Sequence, residues 1–112
     1  MQLITNPIKG KLLRNGYITN RGDDHIPVVK FFGGSGCTWL ITEMDSADYD
    51  TLFGLCDLGM GYPELGYTSL QELESMKFPP FGLGVERDLH FKADKTLSQY
   101  HNEAIEAHRI IA

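Results

Sequence analysis

Ile26-Pro27-Val28-Val29-Lys30-Phe31-Phe32, then Gly33-Gly34-Ser35-Gly36, then Cys37-Thr38-Trp39-Leu40-Ile41-Thr42-Glu43-Met44-Asp45 is the stretch that decides the fold. The first run is rich in β-branched and aromatic residues, which suit a pleated surface, and Pro27, lacking an amide donor, belongs at its start. The glycine-rich tetrad permits a tight reversal, so the two runs read as a hairpin. In the returning strand a period of two puts Trp39, Ile41 and Glu43 on one face and Thr38, Leu40, Thr42 and Met44 on the other. With both faces covered, that strand is predicted to be central.

Downstream, Asp45 to Asp50 reads as a polar loop, Leu52 to Leu58 resumes the strand pattern, and Gly59-Met60-Gly61 turns the chain. A short helix is predicted after Tyr67, opened by a capping box of Thr68 with Gln71 or Ser69 with Glu72, with Leu70 and Leu73 inward and an end near Met76. Pro79-Pro80 predicts an extended connection, and Leu83 to Phe91 alternates as a further strand. The last helix opens on Thr96 and Gln99 and aligns Leu97, Tyr100, Ala104, His108 and Ile111. Upstream, Thr5 or Asn6 caps a first helix with Pro7 at its start, Ile8 and Leu12 one turn apart, and Asn15-Gly16 as its stop. These elements predict an α+β fold: an antiparallel sheet of about four to five strands, helices near both termini and one short helix between strands. No repeat, low-complexity tract or linker interrupts residues 1–112, which read as a single domain.

Apolar residues make up 42% of the 112-residue chain and charged residues 22%, ordinary values for a packed domain, which argues against disorder. The opening Met-Gln-Leu-Ile-Thr-Asn-Pro lacks the basic and apolar segments of a secretion signal, and no run approaches a membrane span, so a cytoplasmic protein without membrane contact is expected. Cys37 and Cys56 are too few for a disulfide framework or zinc site and read as buried thiols.

The net charge of −5 is unevenly spread. Residues 1–30 hold five bases against two acids, residues 31–76 hold eight acids (Glu43, Asp45, Asp48, Asp50, Asp57, Glu64, Glu72, Glu74) and no base, and the remainder balances. Nucleic-acid affinity comes mainly from lysine and arginine neutralising phosphates, so direct nucleic-acid binding is not expected. A basic partner or a cation suits the acidic middle better.

Glu86, Asp88 and His90 fall on one face of the alternating segment Leu83 to Phe91, with Arg87 on the other. Two carboxylates and an imidazole are the residue types for a divalent cation or a general base, and Asp57, Glu43 or Glu64 would complete the set if their strands are neighbours. The competing explanation is a solvated polar face with paired charges. Asp23-Asp24-His25 offers a second polar group, for which a solvated turn is the simpler account. Ser35 lies in a glycine turn without a nucleophile elbow, so pairing it with His25 or His90 as a hydrolase lacks support. Tyr49, Tyr62 and Tyr67 flank the acidic middle, either as a binding surface or as lids over the core.

Thr38-Trp39-Leu40-Ile41-Thr42-Glu43, Phe53-Gly54-Leu55-Cys56-Asp57, Pro63-Glu64-Leu65-Gly66-Tyr67 and Gly82-Leu83-Gly84-Val85-Glu86-Arg87-Asp88-Leu89-His90-Phe91 together resemble the bacterial, plasmid and phage family called domain of unknown function 2958. The resemblance runs from about Pro27 to Phe91. It implies a setting on mobile genetic elements and brings no assigned activity or catalytic residue.

The leading expectation is therefore a small acidic accessory protein of a phage, plasmid or other mobile element, without cofactor. It would act by binding a protein partner through Glu43, Asp45, Asp57, Glu64, Tyr62 and Tyr67. Inhibition of a host defence protein, with carboxylates imitating the phosphates of DNA, is one form of that expectation. The alternative is a hydrolase or nuclease using Mg²⁺ or Mn²⁺ on Glu86, Asp88, His90 and Asp57, with a metal-bound water as nucleophile.

Overall fold

A computed structural model describes residues 2–112. Five strands form one antiparallel sheet: β1 (Val29–Gly33), β2 (Cys37–Met44), β3 (Thr51–Asp57), β4 (Glu64–Ser69) and β5 (Glu86–Arg87), in the order β4-β3-β2-β1-β5. Helices α1 (Asn6–Asn15), α2 (Leu70–Ser75) and α3 (Leu97–Ala107) complete an α+β fold with one helix near each end and one short helix between strands. No helix among the described residues is long and apolar enough to cross a membrane.

Local chemistry accounts for the helix boundaries. Thr5 caps α1 by accepting from the Ile8 amide, and Gly16 closes it. Of the two capping pairs open to α2, Ser69 with Glu72 forms: the Ser69 hydroxyl accepts from the Glu72 amide at 3.2 Å. The Thr96–Gln99 capping box opens α3. The inward line of α3 is Leu97, Tyr100 and Ala104, but it stops there. His108 takes a left-handed conformation at φ 59° and ends the helix, so His108 and Ile111 lie exposed and Ile110 is buried instead.

The hairpin forms as its sequence implies, with Phe31 opposite Trp39 and β2 central. Two apolar clusters sandwich the sheet. Leu12 of α1 and Leu73 of α2 pack with Phe31, Trp39, Ile41 and Leu52 on one face. Leu97, Tyr100 and Ala104 of α3 pack with Leu40 and Leu55 on the other. Each fully buried side chain of this size stabilises the fold by about 1.5–3 kcal/mol. Gly54 is required at the β2–β3 contact, because a Cβ there would run into the Leu40 carbonyl.

Three segments depart from the sequence expectation. The alternation in β2 breaks at Thr42: Ile41 faces Gly54, whereas Glu43 faces Phe53, so β2 carries one extra residue as a β-bulge. From there on facing is inverted. Met44 joins the Trp39 and Ile41 cluster, and Glu43 turns to the α3 face with Phe53. Residues 64–69, which the sequence left between a turn and a helix, form β4, so α2 begins at Leu70. In the segment Leu83 to Phe91 only Glu86–Arg87 is strand, and Pro79-Pro80 lies in a turn closed by Phe78 donating to the Leu83 carbonyl at 2.8 Å, not in an extended connection.

Candidate functional site

The trio Glu86, Asp88 and His90 does not converge. Beyond Arg87 the chain turns, because Asp88 Oδ1 accepts from the His90 amide at 2.9 Å, an Asx turn that ends the pleat. Asp88 Oδ2 lies 3.5 Å from Lys30 Nζ, so its second oxygen faces a cation of this chain. The hydrogen bond from His90, and then the Lys30 ammonium, hold the Asp88 carboxyl below its ordinary value. Glu86 and His90 are exposed. β5 and β3 are separated by two strands, roughly 14 Å at ordinary strand spacing, which keeps Asp57 and Glu64 away from the trio. No group of three His, Cys, Asp or Glu among the described residues is arranged to hold a metal ion.

Several acids of the base-free stretch shape the backbone instead. Asp57 is buried and accepts from the amides of Gly59 (2.8 Å) and Ile110 (3.0 Å), which fastens the chain after α3 to β3. Asp48 accepts from the amides of Asp50 and Thr51, and Asp50 accepts from the Ser69 hydroxyl and the Gln71 amide, fixing the start of α2. Asp57 is thus withdrawn from any partner surface. In the second polar group, Asp24 accepts from the Ser98 hydroxyl and amide, ties the loop to α3, and is held below its ordinary pKa first by that hydroxyl.

The remaining acids and tyrosines come together at the other end of the sheet. Glu43, Phe53 and Tyr67 are directly opposed across β2, β3 and β4 and so form one row on the α3 face. The Phe53 and Tyr67 rings pack with centroids 5.1 Å apart. Helix α3 covers Leu40 and Leu55 but leaves this row open, and a cleft of about 280 Å³ lies over it. Gly16, Arg21, Gly22, Met44, Asp45 and Thr51 complete its walls.

Glu43 is nine-tenths buried. Its Oε2 accepts from the Gly22 amide at 3.1 Å, and His25 Nε2 stands 4.0 Å away. That nitrogen is 2.9 Å from the Asn20 carbonyl, which can only accept, so Nε2 bears the proton and spends it on Asn20. Glu43 Oε1 has no hydrogen-bond partner among the described residues, and no fully buried side-chain oxygen lacks one, so Oε1 opens into the cleft. Asp45, exposed on the rim, accepts from the Ala47 amide through Oδ1.

The β4 strand itself is an edge. Nothing among the described residues bonds to the main chain along its outer side. Tyr62 and Tyr67 are 79% and 75% exposed, so they are surface residues, not lids, and Tyr49 is exposed as well. Tyr62, Glu64 and Leu65 border a second, shallower depression against His101 and Ile105 of α3. Of the expected partner-binding residues, Glu43, Asp45 and Tyr67 line the cleft and Tyr62 and Glu64 the adjoining edge. Arg21, Gly22, Phe53 and Thr51 of the cleft escape sequence reading. Only the aromatic Phe53, beside a glycine in a strand run, carried a signal for it.

A family model described as "Protein of unknown function (DUF2958)" matches residues 3–111, taking in both terminal helices as well as the motifs between them. Neither a curated protein nor a solved structure matches the chain.

Proposed function

The chain belongs to the DUF2958 family, and on that premise we propose that it is a binding protein, not an enzyme, and that it holds a basic, extended segment of a protein partner against β4. The observation behind this reading is the state of the β4 edge. Exposed edge strands are ordinarily protected by lysine, proline within the strand, a bulge or a covering element, because bare main-chain groups recruit other strands. β4 has only Pro63 before it and the Glu64 charge at its start: beyond these it presents Leu65 and Tyr67, and no lysine or arginine occurs anywhere in residues 31–76. Strand addition would supply affinity through main-chain hydrogen bonds, and the acids would favour a segment rich in lysine or arginine.

The setting on a phage, plasmid or other mobile element comes from the family resemblance. A host defence protein that handles DNA would offer such a basic segment. Imitation of DNA phosphates gains less support, since Asp48, Asp50 and Asp57 are engaged in turns and caps.

The test is fluorescence anisotropy of a short labelled peptide of alternating arginine and threonine, with its glutamate counterpart as control. The reading expects saturable binding of the arginine peptide that weakens as salt rises from low to moderate. Equal signals from both peptides, or none from the arginine peptide, contradict it.

A further inference from the structure

We infer that the cleft over Glu43, Phe53 and Tyr67 is a receptor for a single cationic head group, a guanidinium in first place, supplied by the segment that docks on β4. This deepens the proposed function and rests on it for the source of the cation.

Four features define what it accepts. First, the Glu43 carboxylate, on a side chain 12% exposed, keeps one oxygen, Oε1, without a hydrogen-bond partner among the described residues and open to the cleft, while its other oxygen is fixed by the Gly22 amide. An open carboxylate oxygen on a largely buried side chain is a ready acceptor, and a donor cation makes a charge-assisted hydrogen bond to it. Second, the Asp45 carboxylate stands on the same rim, so the walls carry two negative charges against the one positive charge of Arg21. His25 does not neutralise Glu43 by hydrogen bonding, since its Nε2 proton goes to the Asn20 carbonyl.

Third, the outer wall is aromatic. Tyr67 lies in register with Phe53, which lies in register with Glu43, so a planar cation reaching Oε1 passes along the Phe53 and Tyr67 rings. Arginine is the cation that best combines stacking on a ring with hydrogen bonding to a carboxylate. Fourth, the volume of about 280 Å³ falls just below the range for drug-sized ligands and suits one side chain. Because Tyr67 belongs to the edge strand, a segment paired along β4 would set a side chain at the Tyr67 end of this row; β2 lies roughly 14 Å from that segment at ordinary strand spacing, so only a long side chain laid over the Tyr67 and Phe53 rings extends toward Oε1. The bulge at Thr42 is what makes the arrangement possible, for without it Glu43 would face the Trp39 core.

The experiment titrates ¹⁵N-labelled protein with ethylguanidinium chloride and, separately, with N-ethylurea, which has a similar shape and no charge, following backbone amide shifts. Ethylguanidinium should move the amides of Gly22, Glu43 and Thr51 along saturating curves, and N-ethylurea should move none of them. Glu43→Gln keeps an acceptor for the Gly22 amide, so the fold survives, and it should weaken ethylguanidinium binding at least about tenfold. Tyr67→Ala removes a side chain that is 75% exposed, so it too leaves the fold intact, and it should weaken binding severalfold.

Equal responses to the two compounds, absence of saturating shifts, or unchanged binding in both variants overturns the inference. If the arginine peptide binds wild type and Glu43→Gln alike, the cleft is wrong and the β4 reading stands. If ethylguanidinium saturates the cleft while no peptide binds, the β4 reading is wrong and the cleft stands.

Discussion

Glu43 lies directly across the β2–β3 pair from Phe53 although Ile41 lies across from Gly54, so one step along β3 spans two residues of β2. That single extra residue turns a carboxylate from the core behind Trp39 to the open end of the opposite face. Bulges re-aim side chains in this way, and here the result is a buried acid at the floor of a cleft.

The bulge is held from outside the sheet. Asn15 Nδ2, at the end of α1, donates to the Thr42 carbonyl at 3.0 Å. Asn15→Ala should cost about 1 kcal/mol, visible in urea unfolding as a lower midpoint with an unchanged slope, and it should also weaken ligand binding at Glu43. An unchanged midpoint would mean that the bulge needs no such support.

Gly54 and Gly66 form a matched pair for testing the β2–β3 approach. A Cβ on Gly54 would collide with the Leu40 carbonyl, whereas one on Gly66 would meet nothing within 4 Å. Gly54→Ala should destabilise by about 2–3 kcal/mol or more, and Gly66→Ala by less than about 0.5 kcal/mol, in thermal or urea denaturation. Equal effects would refute the close packing at Gly54.

The thiols should be poor nucleophiles in the folded chain. Burial, and secondarily the Glu64 carboxylate, push Cys56 up to about 11, and burial also raises Cys37. Since the thiolate is the reactive form, iodoacetamide at pH 8 should label Cys56 far more slowly than free cysteine, and urea should restore ordinary rates at both positions. Rapid labelling of Cys56 in the native protein would contradict this environment.

Acid should loosen the link between the loop before β1 and α3. The Asp24 carboxyl is held below 3.8 by the Ser98 hydroxyl and amide, so the folded state binds its proton less readily than the unfolded chain. Its contribution is therefore present above that value and is lost as pH falls from there through the lowered folded-state pKa. Asp24→Asn should reduce thermal stability at neutral pH and flatten the fall in stability on the acid side of pH 4. A variant whose melting temperature tracks wild type across that range would show that the link contributes nothing.

Much of the scaffold was legible because its signals are local. Thr96 with Gln99, Ser69 with Glu72, and Pro7 behind Thr5 each fix a helix start within four residues, and the glycine tetrad fixes the hairpin. What was not legible depends on pairing between distant segments. Nothing in Ile41-Thr42-Glu43 announces a bulge, which is set by how β2 registers on β3. The strand β4 is short and interrupted by Gly66, leaving Leu65, Tyr67 and Thr68 as its only periodic signal. In Leu83 to Phe91 the alternation was real in sequence but was overridden at Asp88, whose side chain bonds the backbone two residues on. The acids were visible, but Asp48, Asp50 and Asp57 serve turns and caps, while Glu43 lines the cleft and Glu64 is exposed on the β4 edge.

The central claim is that recognition belongs to the β4 edge and the row beside it. The most direct measurement maps backbone amide shifts of the labelled protein as the arginine–threonine peptide is added. The account predicts a contiguous set of saturating shifts over residues 64–69, Phe53, Glu43 and Gly22, with α1 and the segment from Glu86 to His90 unmoved. Shifts centred on α1 or on Glu86 to His90, with β4 silent, would contradict it.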